Sequence, residues 1–270
     1  MSNASQSPSL RYGSTALVTG ASSGIGQSFA RRLAAEGFLK IVLVARREER
    51  LLQLKAELEA QRGCACVAVA LDLGAPGATQ SLVRRLESLG VSGVDVVINN
   101  AGFGLLGAFE SLPSDKVSAM IDLNCRAVVE IAHAFLPGMK QRRRGAMIIT
   151  SSVVGTVPAP WFSVYAATKA FDLYLGEALH GECKGTGVDV LTVLPGLTRT
   201  EFHAGLGDRD YHSPYRTPEQ VVQSSLNALG KKSIVVDGAF NKLMVHGSRF
   251  LPRGISLWLS RRVMQFELGL

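Results

Sequence analysis

Cysteine is scarce in this chain and badly placed for cross-linking: the four in 270 residues are Cys64, Cys66, Cys125 and Cys183. None falls in a Cys-x-x-Cys pair, and Cys64-Ala-Cys66 is tighter than usual zinc spacing. Buried, reduced thiols are therefore expected, which suits a cytoplasmic protein. The five histidines are scattered without ligand spacing, so no metal site is expected. No apolar run approaches the roughly 18 residues of a spanning helix. The opening residues MSNASQSPSLRYGST lack the apolar core of a secretory signal. Residues 1–12 are expected to form a disordered or tag-derived tail. No Pro/Ser-rich linker or repeat interrupts the rest of the chain, so one domain is expected over 13–238, with 239–270 as its extension.

Hydrophobic residues make up 47% and charged residues 19%, a balance able to fill a sizeable core. The net charge is +7, and residues 231–270 carry most of it, with seven basic side chains against Asp237 and Glu267. Basic and aromatic residues are not spread over one face as a nucleic-acid binder would have them, so no nucleic-acid partner is expected.

Short β-branched runs alternate with long amphipathic ones. The strand candidates are 15–20, 40–46, 66–73, 94–102, 146–152, 188–196 and 233–238. They are apolar almost throughout, as strands buried on both faces must be. Helical patterns fall between them, at about 25–36, 48–61, 77–89, 114–140, 161–184 and 218–229. This alternation predicts an α/β fold, a doubly wound parallel sheet of about seven strands with helices on both faces. The helices at 114–140 and 161–184 are apolar around much of their circumference, which predicts a second packing partner and hence a homo-oligomer, dimer or tetramer.

Thr-Gly-Ala-Ser-Ser-Gly-Ile-Gly (Thr19 to Gly26) follows the first strand and opens the first helix. Glycines at 20, 24 and 26 allow a tight turn and a close approach of main chain to a pyrophosphate at the helix N-terminus. At the end of strand two, an acid would hold a ribose 2′-hydroxyl, whereas arginine accommodates a 2′-phosphate. The chain there reads Ala45-Arg46-Arg47, so NADP (NADPH) is expected over NAD. Tyr165 and Lys169 stand one helical turn apart. An ammonium beside a phenol favours the phenolate, which makes the pair a proton-transfer device.

Taken in order, Gly20-x-x-x-Gly24-x-Gly26, Asp72, Asn99-Asn100-Ala101-Gly102, Asn124, Ser152, Tyr165-x-x-x-Lys169 and Pro195-Gly196 resemble the short-chain dehydrogenases/reductases over about residues 13–238. Within that family the chain looks most like a bacterial-type branch of broadly described, NADP-preferring reductases. The resemblance implies a Rossmann-type fold and reduction of a carbonyl to an alcohol, the carbonyl being a ketone, an aldehyde or a 3-oxoacyl group. It assigns Tyr165 as general acid, Lys169 as the group lowering its pKa and holding the nicotinamide ribose, Ser152 as holder of the substrate oxygen, and Asn124 as anchor of a proton-relay water. Cofactor contacts are implied for Gly20, Ser22, Ser23, Gly24, Ile25 and Gly26, for Arg46 and Arg47, for Asp72 and Leu73 at the adenine, for Asn100, Ala101 and Gly102, and for Pro195, Gly196, Thr198 and Thr200. Ser22 and Ser23 stand where the family often has a basic residue inside the turn, so the NADP preference rests on Arg46 and Arg47. A non-redox relative of epimerase or dehydratase type, or a nucleotide-sensing regulator, is the alternative.

Two loops are expected to choose the substrate, 153–163 and 197–215, with Phe103, Leu105 and Leu106 adding to an apolar lining. That lining suits a hydrophobic carbonyl compound. Residues 240–270 set large apolar residues among arginines, with Pro252 and Gly254 breaking the segment in two. A lid or subunit-contact arm that lines the pocket is expected there, with peripheral contact to anionic lipid or an acidic carrier protein as the rivals.

Overall fold

The computed structural model describes residues 8–60, 64–204, 206 and 213–269. Seven strands form one parallel sheet: β1 (Thr15–Thr19), β2 (Lys40–Ala45), β3 (Ala65–Ala70), β4 (Val96–Asn99), β5 (Gly145–Thr150), β6 (Val188–Leu194) and β7 (Ile234–Val236). Their order is β3-β2-β1-β4-β5-β6-β7. Val18 stands beside Leu43 on one side and Ile98 on the other, and Ile148 beside Leu191. The chain winds outward from β1 to β3, then returns to lay β4 on the opposite edge of β1. Such a reversal opens a crevice at the carboxyl ends of the strands, where ligands of open α/β sheets bind.

Both faces of the sheet are covered, which explains the absence of alternation in the strands. Val18, Leu43 and Ile98 point into one core with Phe29 and Leu33 of α2 (Gly24–Ala35), Leu51 and Leu58 of α3 (Glu48–Glu59) and Val221 of α9 (Pro218–Ala228). Their neighbours Leu17, Val42 and Val97 point into the other, with Leu82 of α4 (Ala78–Ser88) and Ile131 and Met139 of α6 (Ala127–Gln141). Successive residues of one strand bury in different cores, so every position must be apolar. Among the described residues no helix is long and apolar enough to cross a membrane.

The sequence reading needs correction in four places. Part of the expected tail is folded: α1 (Pro8–Tyr12) places Tyr12 in the core, where its hydroxyl donates to Asp189 Oδ2 at 2.8 Å, and the rest of that tail, residues 1–7, lies outside the described residues. Strand four is shorter than 94–102, because the main-chain N–H groups of Asn100 and Ala101 leave the ladder to donate to Thr19 Oγ1 at 2.8 and 2.9 Å. The helix expected at 114–140 is split into α5 (Ser114–Ile121) and α6 by a π turn at Asp122–Arg126. Finally, residues 239–268 form α10 (Ala239–Ser248) and α11 (Arg253–Leu268), separated at 249–252; Gly254 lies inside the second helix instead of breaking it.

Candidate active site

A cavity of about 1160 Å³ occupies the crevice at the carboxyl ends of β1 and β4. One end is lined by Gly20, Ser22, Ser23, Gly24, Ile25, Arg46, Arg47, Asp72 and Leu73. The other takes in Ser152, Tyr165 and Lys169, with Phe103, Leu105 and Phe162 beyond them. Asn100, Ala101, Gly102, Pro195, Gly196, Thr198 and Thr200 line the middle. The fold thus gathers into one space residues that the sequence spreads over 180 positions.

The turn after β1 is shaped for a close approach. Gly20 and Gly24 have φ of +66° and +54°, conformations that strain residues with a side chain. A Cβ at Gly26 would collide with the main-chain oxygen of Gly20, so the turn could not close. The Asn100 side chain donates to Thr19 O at 3.1 Å, tying the ends of β1 and β4 together. Thr19, fully buried, is a residue that the sequence reading missed; its hydroxyl organises both segments.

The arginines behave differently from one another. Arg46 is exposed on the cavity rim. Arg47 reaches across the turn: its guanidinium donates to Ser22 Oγ at 3.1 Å and Ser23 Oγ at 2.8 Å, and pairs with Glu201 Oε2 at 2.6 Å. Arg50 pairs with the other Glu201 oxygen at 3.0 Å. Held between two guanidiniums, Glu201 titrates below the usual carboxylate range, the Arg47 hydrogen bond being the main cause. The Arg47 guanidinium and two serine hydroxyls converge, while Arg46 stands at the edge. Asp72 caps its own turn by accepting from Gly74 N at 3.0 Å, and Leu73 is buried beside it.

At the other end, α7 (Ser163–Cys183) presents Tyr165 and Lys169 on one face, both buried. Lys169 Nζ lies 5.9 Å from the Tyr165 ring centroid and donates to Thr150 O at 2.8 Å and Asp172 Oδ2 at 2.9 Å. Burial pushes the Tyr165 phenol above the ordinary tyrosine value, while the Lys169 ammonium and the Ser152 hydroxyl pull it back. Burial pulls Lys169 down, but Asp172 and Tyr165 outweigh it and the ammonium stands above the ordinary lysine value. Burial pushes the Asp172 carboxyl up, against the pull of Lys169. Asp172, with no solvent exposure, was missed in the sequence; an acid three residues after the lysine of a Tyr-x-x-x-Lys pair was the signal.

Ser152 lies two residues beyond β5, at the start of the turn Val153–Thr156, and faces the cavity, and its hydroxyl lies 3.4 Å from Pro195 O. Its neighbour Ser151 donates to Lys169 O at 2.6 Å, which locks helix α7 to the sheet and occupies that hydroxyl. Asn124 sits at the centre of the π turn, fully buried. Its side chain accepts from Phe103 N at 3.1 Å and donates to Phe103 O at 2.9 Å and Thr168 Oγ1 at 3.1 Å. Both amide hydrogens are thereby committed to protein, so a donated bond to a relay water is not available from this side chain. Asn124 is a clamp on the loop that follows Gly102.

The segment after β6 is held by residues the sequence did not single out. Arg216 pairs with Asp237 through two bonds of 2.8 and 3.1 Å, and its main chain bonds to Leu197 and Arg199. Gly196 packs so closely on Asn241 that no side chain would fit there. The apolar end is built from Phe162, stacked on Tyr165 at 4.4 Å between centroids, and Phe202 at 5.4 Å. Trp161 adopts φ of +62°, a costly conformation for a bulky residue, and its carbonyl accepts from Gly107 N at 2.8 Å. Of the loop 197–215, residues 205 and 207–212 lie outside the described residues. Helices α10 and α11 and the link between them complete the lining with Leu243, Met244, Leu251, Leu259, Val263 and Met264.

A family profile described as short chain dehydrogenase matches residues 14–210. The 7beta-hydroxysteroid dehydrogenase of Collinsella aerofaciens is 33% identical over 241 residues, covering 87% of this chain and 90% of the relative. The very-long-chain 3-oxoacyl-CoA reductase of Anas platyrhynchos is 32% identical, covering 82% of this chain and 70% of that one. Among solved structures, a short-chain dehydrogenase from Sphingobium yanoikuyae in complex with NADPH superposes with a TM-score of 0.74 at 35% identity, covering 87% of this chain and 93% of that one. The chain belongs to the short-chain dehydrogenase/reductase family and is an oxidoreductase of that class. A nicotinamide dinucleotide fits the cradle on geometric grounds: two glycines at positive φ, a third that tolerates no Cβ, and a serine-arginine cluster beside them.

Proposed function

We propose that this protein reduces the carbonyl of a bulky, apolar molecule to an alcohol with NADPH. The observation that carries the reading is the convergence of Tyr165, Ser152 and Lys169 at the apolar end of the same cavity whose other end is the glycine turn. Bound there, the nicotinamide supplies hydride to the carbonyl carbon. Tyr165 donates its phenolic proton to the carbonyl oxygen as negative charge develops on it. Ser152 holds that oxygen by a hydrogen bond from its hydroxyl. Lys169 stays cationic through Asp172, favours the phenolate left behind and would hold the nicotinamide ribose. Asn124 positions the Phe103 loop, and any relay water would use its main-chain carbonyl.

Preference for NADPH rests on Arg47, Ser22 and Ser23, whose donors converge where a 2′-phosphate would sit, with Arg46 adding charge at the rim. The phosphate would displace Glu201 from Arg47. A large apolar ketone, in the size range of a steroid or a long 3-oxoacyl chain, suits the lining of Phe103, Leu105, Leu106, Phe162 and Phe202. The names of the Collinsella aerofaciens and Anas platyrhynchos relatives support those two classes. Helices α10 and α11 act as the lid of this pocket, and the working form is a homo-oligomer. A panel of hydroxysteroid ketones, 3-oxoacyl thioesters and small aldehydes, followed by NADPH absorbance, tests the reading. Net consumption with a bulky ketone is expected. NADPH binding without consumption across the panel would favour a nucleotide sensor or a non-redox relative.

A further inference from the structure

Helix α11 carries apolar residues on both of its sides. The side turned to the cavity carries Ser256, Leu259, Ser260, Val263, Met264 and Glu267, so only half of it is apolar. Ser260 donates to Pro158 O at 2.7 Å, and Glu267 accepts from Ser213 N and Oγ at 3.1 and 2.5 Å. The side turned to solvent holds Ile255 and Trp258, 50% and 59% exposed, and no residue of the helix is buried. Leu243 of α10 and Phe250 beyond it extend this face, at 72% and 88% exposed. A helix on a globular core normally turns its apolar stripe inward. This one leaves a second apolar set, Ile255, Leu257, Trp258 and Phe266, facing outward around the mouth of the cavity.

Charge identifies what would cover such a face. Lys242, Arg249, Arg253, Arg261 and Arg262 are all exposed among these apolar residues. The sole carboxylate of residues 239–268, Glu267, is turned inward and bonded to Ser213. The outward face is therefore apolar and cationic, with no acid on it. A second copy placed symmetrically on this face would set arginine against arginine with no carboxylate to pair it. An anionic lipid surface complements both features. Trp258, with the Arg262 guanidinium 5.8 Å from its ring centroid, has the amphipathic form of a side chain at a membrane-water boundary, and arginine stems lie along apolar surface while their heads stay wet.

We propose that α10 and α11 dock on the surface of an anionic bilayer, lying in its plane, with the cavity mouth against the lipid. The rim residues Leu243, Met244, Leu251 and Leu259 belong both to the cavity and to this segment, so a lipophilic substrate would pass from the membrane into the site. That passage rests on the catalytic reading above; the docking does not.

Co-flotation of the full-length protein, without cofactor or substrate, on phosphatidylcholine vesicles and on vesicles also containing phosphatidylglycerol tests this. Flotation with the anionic vesicles alone is expected, weakening as salt rises. Arg261→Glu/Arg262→Glu and Phe250→Ser/Trp258→Ser should each lower partitioning about tenfold or more while leaving turnover of a water-soluble carbonyl unchanged. A wild-type protein that stays in the aqueous fraction would overturn the proposal, as would binding indifferent to these substitutions. So would loss of an oligomer in Phe250→Ser/Trp258→Ser, which would make the face a subunit contact. Flotation by a protein that turns over no carbonyl would leave docking standing and remove the catalytic reading.

Discussion

Lys169 is a buried cation whose counter-ion is a residue three positions further along its own helix, and this pairing has a measurable consequence. With Asp172 in place the ammonium stands above the ordinary lysine value, so its contribution to stability is fully present below about pH 10.4 and fades only above it. In Asp172→Asn the strongest group opposing burial is gone, only Tyr165 and Cys125 still counter it, and the lysine pKa is expected to fall below its unfolded value. The unfolded chain then binds the extra proton, and stability rises with pH until about 10.4. The variant should be less stable by about 3–5 kcal/mol at neutral pH, with a deficit that narrows as pH rises. Urea denaturation across that range measures it; a constant deficit would contradict the pairing argument. Arg47 gives a second test at this scale. Arg47→Ala should weaken NADPH by about 1.5–3 kcal/mol in calorimetric titration and leave NADH nearly unchanged. Glu201→Gln should tighten NADPH slightly, since an exposed ion pair is worth about 0.2–1 kcal/mol. Tyr165 and Lys169 could be singled out because they stand one helical turn apart, and Ser152 only through the family resemblance; the cavity brings all three together. Thr19 and Glu201 were less legible, since their contacts form only when distant segments meet, whereas Asp172 is a local partner whose acid reads as an ordinary helix residue.

At the scale of elements, the strands and most helices could be read from periodicity, because a sheet buried on both faces leaves an unmistakable run of apolar residues. The π turn at Asp122–Arg126 could not. One extra residue per turn leaves the apolar pattern of 114–140 almost unaltered, and the reason for the turn is a polar one: it places Asn124 where it can bond both main-chain groups of Phe103. Asn124→Leu should therefore leave two buried main-chain groups unsatisfied, at about 1–3 kcal/mol each, and free the loop that lines the substrate end. Thermal unfolding should show the loss of stability, and KM for the carbonyl should rise more than that for NADPH. An unchanged KM for the carbonyl would mean that the clamp does not shape the pocket. Residues 8–12 of the expected tail were misread for similar reasons. Its polar composition hid Tyr12, whose place in the core depends on Asp189 far along the chain.

For the molecule as a whole, the position of the cavity followed from the strand order, since the crevice at the reversal between β1 and β4 is where the motifs had to meet. Quaternary structure is less direct. Phe171 and Tyr174 on α7 are 41% and 72% exposed, and Val129 on α6 is 38% exposed, an apolar surface that one sheet face does not cover. Light scattering should show an oligomer, and Phe171→Glu/Tyr174→Glu should shift it toward monomer; a wild-type monomer at micromolar concentration would rule the interface out. The account as a whole depends on one phenol. The most direct measurement is single-turnover oxidation of NADPH by wild type and Tyr165→Phe with the same bulky ketone, with cofactor affinity determined in parallel. The expected result is a rate about 10²–10⁴-fold lower in the variant with NADPH affinity almost intact. A variant that turned over at the wild-type rate would contradict Tyr165 as the proton donor and, with it, the proposed mechanism.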